Sequence, residues 1–308
     1  MENNETSAKK PRLKLRIIII AVSVVIVALL IFVYLRVNPK WKAAKLTVKQ
    51  SGKSYGIENI DPEGMTLQTR IKTPDGYKRI EVGQGSFGEY LRDYKLLPDG
   101  SELPVYDGTT MSAAGAAAIF DISLGDDGYQ QCADSIIRLY SDYFYEKGEY
   151  DKISFMFSNG DVCDYNRWRK GKRMLVFGDH SFEIPAALPD DSEQQYRNYL
   201  KEVMNYAGTL SLQKESQVID SDELKIGDII CNDSHVVMIV DIAVNEKGEK
   251  CYLIGQSFIP AVCFHVIVDR DGRQASPWFT QERLGRDSFK LGDYTFKKEN
   301  IRRWKDGF

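Results

Sequence analysis

Residues 227–256 read Gly227-Asp-Ile-Ile-Cys231-Asn-Asp-Ser-His235-Val-Val-Met-Ile-Val-Asp241-Ile-Ala-Val-Asn245-Glu-Lys-Gly248-Glu-Lys-Cys251-Tyr-Leu-Ile-Gly-Gln256. Two β-rich runs, His235 to Val244 and Cys251 to Gln256, flank the turn Asn245-Glu-Lys-Gly248 and predict a pair of antiparallel strands. A third run, Asp228 to Cys231, leads through the polar loop Asn232-Asp-Ser into His235. That order holds an imidazole where a strand opens, at a sheet edge. Histidine suits a general base there because its unperturbed pKa lies near neutrality. The turn folds Gln256 back beside His235 as the residue to orient the ring. The register stays open, because Gly248 is a candidate bulge site, and Ser257 is therefore the alternative partner. Asp241 lies farther along the same strand, roughly 20 Å from His235 if it is straight, and is excluded as the orienting group.

Upstream, Gln130-Gln131-Cys132-Ala133-Asp134 follows the turn Gly125-Asp-Asp-Gly128. It opens a helix predicted from Ala133, Ile136, Ile137, Tyr140, Tyr143 and Phe144 at three- and four-residue spacing. Free amides and the helix dipole at that end favour a thiolate on Cys132. The same amides, with the side chain of Gln130 or Gln131, are candidate oxyanion donors. A lone cysteine is more often a small buried residue, and a lone histidine more often a satisfied one. His265 sits in an apolar run and reads as structural; His180 lies in a loop.

Around this core the pattern predicts a short helix capped by Ser86, strands at Ala116–Ser123, Ile153–Phe157 and Cys263–Val268, and a helix from Ser192 to Tyr206. Helices come first and sheet later, without regular βαβ alternation, which predicts an α+β fold. Hydrophobic residues at 43% and charged residues at 28% exclude a disordered or multi-pass membrane chain. The net charge of −3 is unevenly spread. Residues 46–308 hold 32 Lys and Arg against 42 Asp and Glu, a poor match for phosphate backbones, so no nucleic-acid partner is expected.

The positive charge gathers at the N-terminus, where basic clusters flank Ile17 to Leu35, an apolar run with Ser23 its only polar side chain. As a helix it spans roughly 28 Å, near the hydrocarbon thickness of a bilayer. No small-residue cleavage site follows, so an uncleaved membrane helix is expected. The charge bias weakly favours an N-terminus inside and the remainder outside. The expected organisation is a cytoplasmic basic tail (1–16), a transmembrane helix (17–35), a stalk and lead-in (36–80), an extracytoplasmic domain (81–300) and a basic C-terminal tail (301–308).

A cysteine at a helix start, a histidine opening a strand and a polar residue on the next strand resemble the papain-like cysteine hydrolases, most closely the bacterial CHAP and NlpC-type branches. His235-Val-Val-Met-Ile-Val resembles their histidine strand, with Ser234 where a glycine stands in them. The NlpC-type Asp-Cys-Ser-Gly signature is absent, with Ala133-Asp134 in place of Ser-Gly. Residues from about 80 to 300 also resemble the domain of unknown function 4846 family. That resemblance is carried by Gly85-Ser-Phe, Tyr106-Asp-Gly, Gln130-Gln-Cys-Ala-Asp, Tyr206-Ala-Gly-Thr-Leu-Ser-Leu, Gly227-Asp, His235-Val-Val, Gln256-Ser257 and Pro277-Trp-Phe. The papain-like resemblance implies a papain-like fold, the Cys132 helix packed on an antiparallel sheet, and a peptidase or amidase using Cys132, His235 and Gln256, whereas the domain 4846 resemblance names no substrate. A peptide or peptidoglycan substrate is expected, with no cofactor. The alternative is a non-catalytic cell-envelope binding domain on the same fold. Zinc at Cys231 and His235 is disfavoured, since those positions stand about 13 Å apart on a continuous strand.

Overall fold

The computed structural model of the chain describes residues 59–271 and 275–304. The strands are β1 (Tyr77–Arg79), β2 (Ala116–Ile119), β3 (Ser216–Val218), β4 (Ile229–Cys231), β5 (Val236–Asn245), β6 (Lys250–Gln256), β7 (His265–Ile267), β8 (Phe279–Thr280), β9 (Ser288–Leu291), β10 (Tyr294–Lys297) and β11 (Ile301–Trp304). Nine of them form one antiparallel sheet in the order β2-β7-β6-β5-β4-β11-β3, with β1 added to β5 and β8 to β6. β9 and β10 form a separate hairpin. Short hairpins at Ser154–Met156 with Val162–Asp164, and at Lys172–Phe177 with His180–Pro185, lie apart from the main sheet.

β5 is buried from Val236 through Ala243, as a strand covered on both faces must be, and its sequence is correspondingly a near-continuous apolar run. The turn to β6 is set by Asn245, whose Oδ1 accepts from the N–H groups of Lys247 and Glu249. The irregularity in this pair falls between Ile239 and Asp241, within β5 and not at Gly248. Beyond it Met238 stands opposite Gly255, which places Val237 by Gln256 and puts His235 on the same face, one pleat along.

Three helices matter most: α1 (Phe87–Arg92), α2 (Cys132–Glu146) and α3 (Glu193–Tyr206). Ser86 and Ser192 cap α1 and α3, each accepting from a backbone N–H in the first turn. α2 packs on β5 through the stripe visible in the sequence, yet its polar positions Ser135, Ser141 and Asp142 are buried too. α3 covers Asp142: Tyr196 Oη donates to it at 2.7 Å, and the rings of Tyr145 and Tyr196 stack at 3.9 Å. Part of the long segment between Cys132 and His235 thus buries the outer face of α2.

The folded unit is larger than 81–300. Within the expected lead-in, Leu67–Arg70 is helical, β1 joins β5, and the Arg70 guanidinium donates to Gly64 O and Leu97 O. Residues 301–304, expected as tail, are instead β11, inserted between β4 and β3 with Trp304 fully buried. Among the described residues no helix is long and apolar enough to cross a membrane. The expected tail 1–16, span 17–35 and first part of the stalk lie outside the described residues.

Candidate active site

Cys132 is the first residue of α2, after an extended N-cap at Gln131. The Asp134 carboxylate side accepts from the Gln131 N–H at 3.1 Å and fixes that entry. The preceding turn needs glycine at Gly128, which has φ +72° and leaves 3.0 Å between a notional Cβ and the Tyr106 ring. The backbone amides of Ala133 and Val236 lie near enough to the Cys132 thiol to favour its thiolate form. Val236 is the neighbour of His235, so packing α2 on β5 brings the thiol to the strand that opens with the imidazole.

His235 is 1% exposed, and its Nε2 lies 2.9 Å from Gln256 Oε1. An amide oxygen only accepts, so Nε2 carries the proton and Nδ1 keeps its lone pair. Gln256 Nε2 lies in turn 3.3 Å from Nε2 of His265, whose Nδ1 is 3.0 Å from Cys263 O. Ser257, the alternative partner, points elsewhere: its Oγ donates to Val262 O at 2.7 Å.

The loop before His235 is tied by Asn232, whose Oδ1 accepts from the His235 N–H at 2.8 Å and whose Nδ2 donates to Thr295 O at 3.1 Å. This clasps the β9–β10 hairpin onto the site. Tyr294, the first residue of β10, stacks flat on the imidazole with ring centroids 3.5 Å apart and planes 9° apart. Beside it, Gly292 has φ +59°, and a Cβ there would meet Gln256 Nε2 at 3.6 Å.

Burial sets the electrostatics. It pushes the Cys132 thiol up to about 11, with the Asp134 charge adding and the helix-start and Val236 amides opposing. It pulls His235 down to about 4, against the Gln256 hydrogen bond, and His265 likewise to about 4. Burial also lifts Asp134 to about 8 and raises the Tyr294 phenol, where a Cys132 thiolate is the next contribution. Thiol and imidazole thus rest neutral.

Of the expected oxyanion donors, Gln131 Nε2 donates to Gly128 O at 3.3 Å. Gln130 accepts from Arg138 through Oε1 at 3.1 Å, which leaves its buried Nε2 without a partner. Asp241 is occupied elsewhere, holding Arg79 and Arg92. All five cysteines are free. Among the described residues no group of three or more His, Cys, Asp or Glu is placed to hold a metal ion.

The family described as Domain of unknown function (4846) has a sequence model that matches residues 67–303. The chain belongs to that family. Its matched stretch begins at the helix Leu67–Arg70 and ends in β11, wider than 81–300 at both ends, while the folded unit reaches a little further toward the N-terminus through the Ile60–Ile71 bridge. No curated protein and no solved structure matches the chain. Cys132, His235 and Gln256 all fall inside the family match. So do Asn232, His265 and Tyr294, which the sequence reading did not assign to the site. Tyr294 follows a Gly292-Asp293 turn legible in sequence, but its stacking on His235 depends on tertiary packing alone.

Proposed function

We propose that this member of the domain 4846 family is a membrane-anchored, extracytoplasmic cysteine hydrolase of papain-like arrangement that cleaves peptide or amide bonds, with cell-wall peptidoglycan the first substrate to test. One observation carries the reading: His235, whose Nε2 is held by Gln256, opens the strand whose Val236 amide acts on the Cys132 thiol at the start of α2. In the reaction, Nδ1 of His235 takes the thiol proton as sulfur attacks the carbonyl carbon. The helix-start amides hold the oxyanion, with Gln130 Nε2 as the unpartnered donor nearest in sequence. Collapse expels the amine with the proton from His235. Water, deprotonated by the same ring, then hydrolyses the thioester and returns the thiol.

The test is labelling of the membrane-embedded full chain with iodoacetamide, alongside Cys132→Ala and His235→Ala. Labelling concentrated on Cys132, and slower without His235, supports the reading; release of amines from peptidoglycan peptides names the substrate. Equal, His235-independent labelling of the five cysteines refutes it. The second reading, a non-catalytic envelope-binding domain, is favoured by the closed resting site, where Cys132 is 8% exposed under Tyr294-stacked His235. It predicts sedimentation with peptidoglycan that Cys132→Ala leaves unchanged.

A further inference from the structure

The amide of Gln256 has two ends of opposite character, and only one orientation leaves Nδ1 of His235 free. Deep burial keeps His265 neutral with a single N–H to place. Its Nδ1 faces the carbonyl oxygen of Cys263, which only accepts, at 3.0 Å. The proton must therefore sit on Nδ1, and Nε2 of His265 must accept. The group 3.3 Å away on Gln256 is then the NH2 end, and the oxygen is turned to His235 at 2.9 Å. His235 must in turn donate from Nε2. Exchanging the amide ends would force the His265 proton onto Nε2 and set its Nδ1 lone pair against the Cys263 carbonyl, leaving a buried pair of acceptors in opposition. All three side chains are nearly inaccessible to water, at 1%, 6% and 2% exposed for His235, Gln256 and His265, so solvent offers no substitute partner.

We infer that His265 is a positioning residue: through Gln256 it relays the fixed polarity of the Cys263 carbonyl to His235 and so selects the imidazole tautomer whose Nδ1 is a free base. The tautomer statement stands on the hydrogen bonds and on the burial that keeps His265 neutral; its value to Cys132 rests on the hydrolase reading. Strand pairing explains how the relay is built. Gln256 on β6 stands opposite His265 on β7, while His235 lies on the β5 side of the same strand. A side chain two strands from the thiol's partner can thereby act on it without touching substrate.

With three histidines in the chain, 15N-imidazole NMR of the labelled full-length protein resolves each ring. The wild type should show His235 protonated on Nε2 and His265 on Nδ1. His265→Leu removes the acceptor and frees the Gln256 amide to turn, so His235 should become a mixture of tautomers and Cys132 alkylation should slow about tenfold. His265→Gln, which sets an amide oxygen near the place of Nε2, should restore most of both. A wild-type His235 protonated on Nδ1, or a tautomer unchanged in a folded His265→Leu, overturns the inference. If His265→Leu does not fold, the wild-type tautomers and His265→Gln still decide it. A wild-type Cys132 that reacts no faster than the other cysteines, with or without His235, defeats the hydrolase reading alone; the tautomers then still support or overturn the relay.

Discussion

Three buried groups in and beside the site make opposite contributions to acid stability, and separating them tests the electrostatics directly. His235 binds its proton with a pKa of about 4 when folded and near 6.5 when unfolded. Between those values the unfolded chain holds more protons, so stability falls as pH is lowered through that window. From pH 7 to pH 5 the loss is roughly 2 kcal/mol, and buried His265 adds a similar loss. Asp134 has the opposite sign. Its folded pKa of about 8 lies above the ordinary 3.8, so the folded state holds more protons across that range and stability rises on acidification. Over the same two pH units it contributes roughly 2–3 kcal/mol. In the wild type the Asp134 gain offsets only part of the two histidine losses, leaving a net acid loss of roughly 1–2 kcal/mol. The informative quantities are the differences: His235→Gln should reduce the acid loss by roughly 2 kcal/mol, and Asp134→Asn should increase it by roughly 2–3. Asn at 134 keeps an oxygen for the Gln131 N–H, so the helix entry survives. Urea unfolding at pH 5, 6 and 7, followed by emission of the buried Trp168, Trp278 and Trp304, measures each value. Both variants tracking the wild type, or shifting with the same sign, would refute the reasoning.

Two further perturbations probe the scaffold that positions the site. Asp241→Ala leaves the Arg92 guanidinium, which hydrogen bonds to the carboxylate at 2.8 and 2.9 Å, buried without its anion, and should cost about 3–5 kcal/mol in urea unfolding. Gly255→Ala should cost about 1–3 kcal/mol, read as a lower Tm, because the new Cβ would stand 2.4 Å from the Phe264 ring.

What the sequence reveals and what it hides divide along physical lines. The β5–β6 pair is legible because a strand buried on both faces must be apolar throughout, and Asn245-Glu-Lys-Gly248 marks its turn. α1 and α3 announce themselves through Ser86 and Ser192, since capping is local chemistry. β11 hides because Ile301-Arg-Arg-Trp304 lacks alternation and reads as a basic tail. Its arginines are in fact engaged: Arg303 pairs with Asp228, and Arg302 donates to Gln213 O and Ser216 O. The lead-in hides for a related reason. Its Pro and Gly content suggests a linker, whereas Gly64 is required by a backbone approach, its notional Cβ only 2.3 Å from Thr69. Within the site, Cys132, His235 and Gln256 follow from element order. Their extension to His265 and Tyr294 does not, because strand neighbours and a folded-back hairpin are set by tertiary packing.

The closed state also constrains how a hydrolase could work here. With the thiol at about 11 and the imidazole at about 4, moving the proton between them in the resting site costs about 9–10 kcal/mol before the pair attracts itself. Attraction between a thiolate and an imidazolium recovers part of that cost. What remains keeps the ion pair a minor species at rest. Burial is the largest cause of both shifts, so rehydrating the site lowers this cost from both ends. The cover next to the ring is the β9–β10 hairpin, rooted by buried Leu291 and Phe296 and by the Arg270–Asp293 and Arg283–Lys290 O contacts, and closed over the site by the Asn232–Thr295 hydrogen bond and Tyr294. Asn232→Ala should therefore loosen the hairpin without removing any group that handles the proton, and Cys132 alkylation at neutral pH should rise. A rate that stays at the wild-type value would mean that the hairpin does not control the thiol, and that proton transfer must be coupled to attack within the closed site.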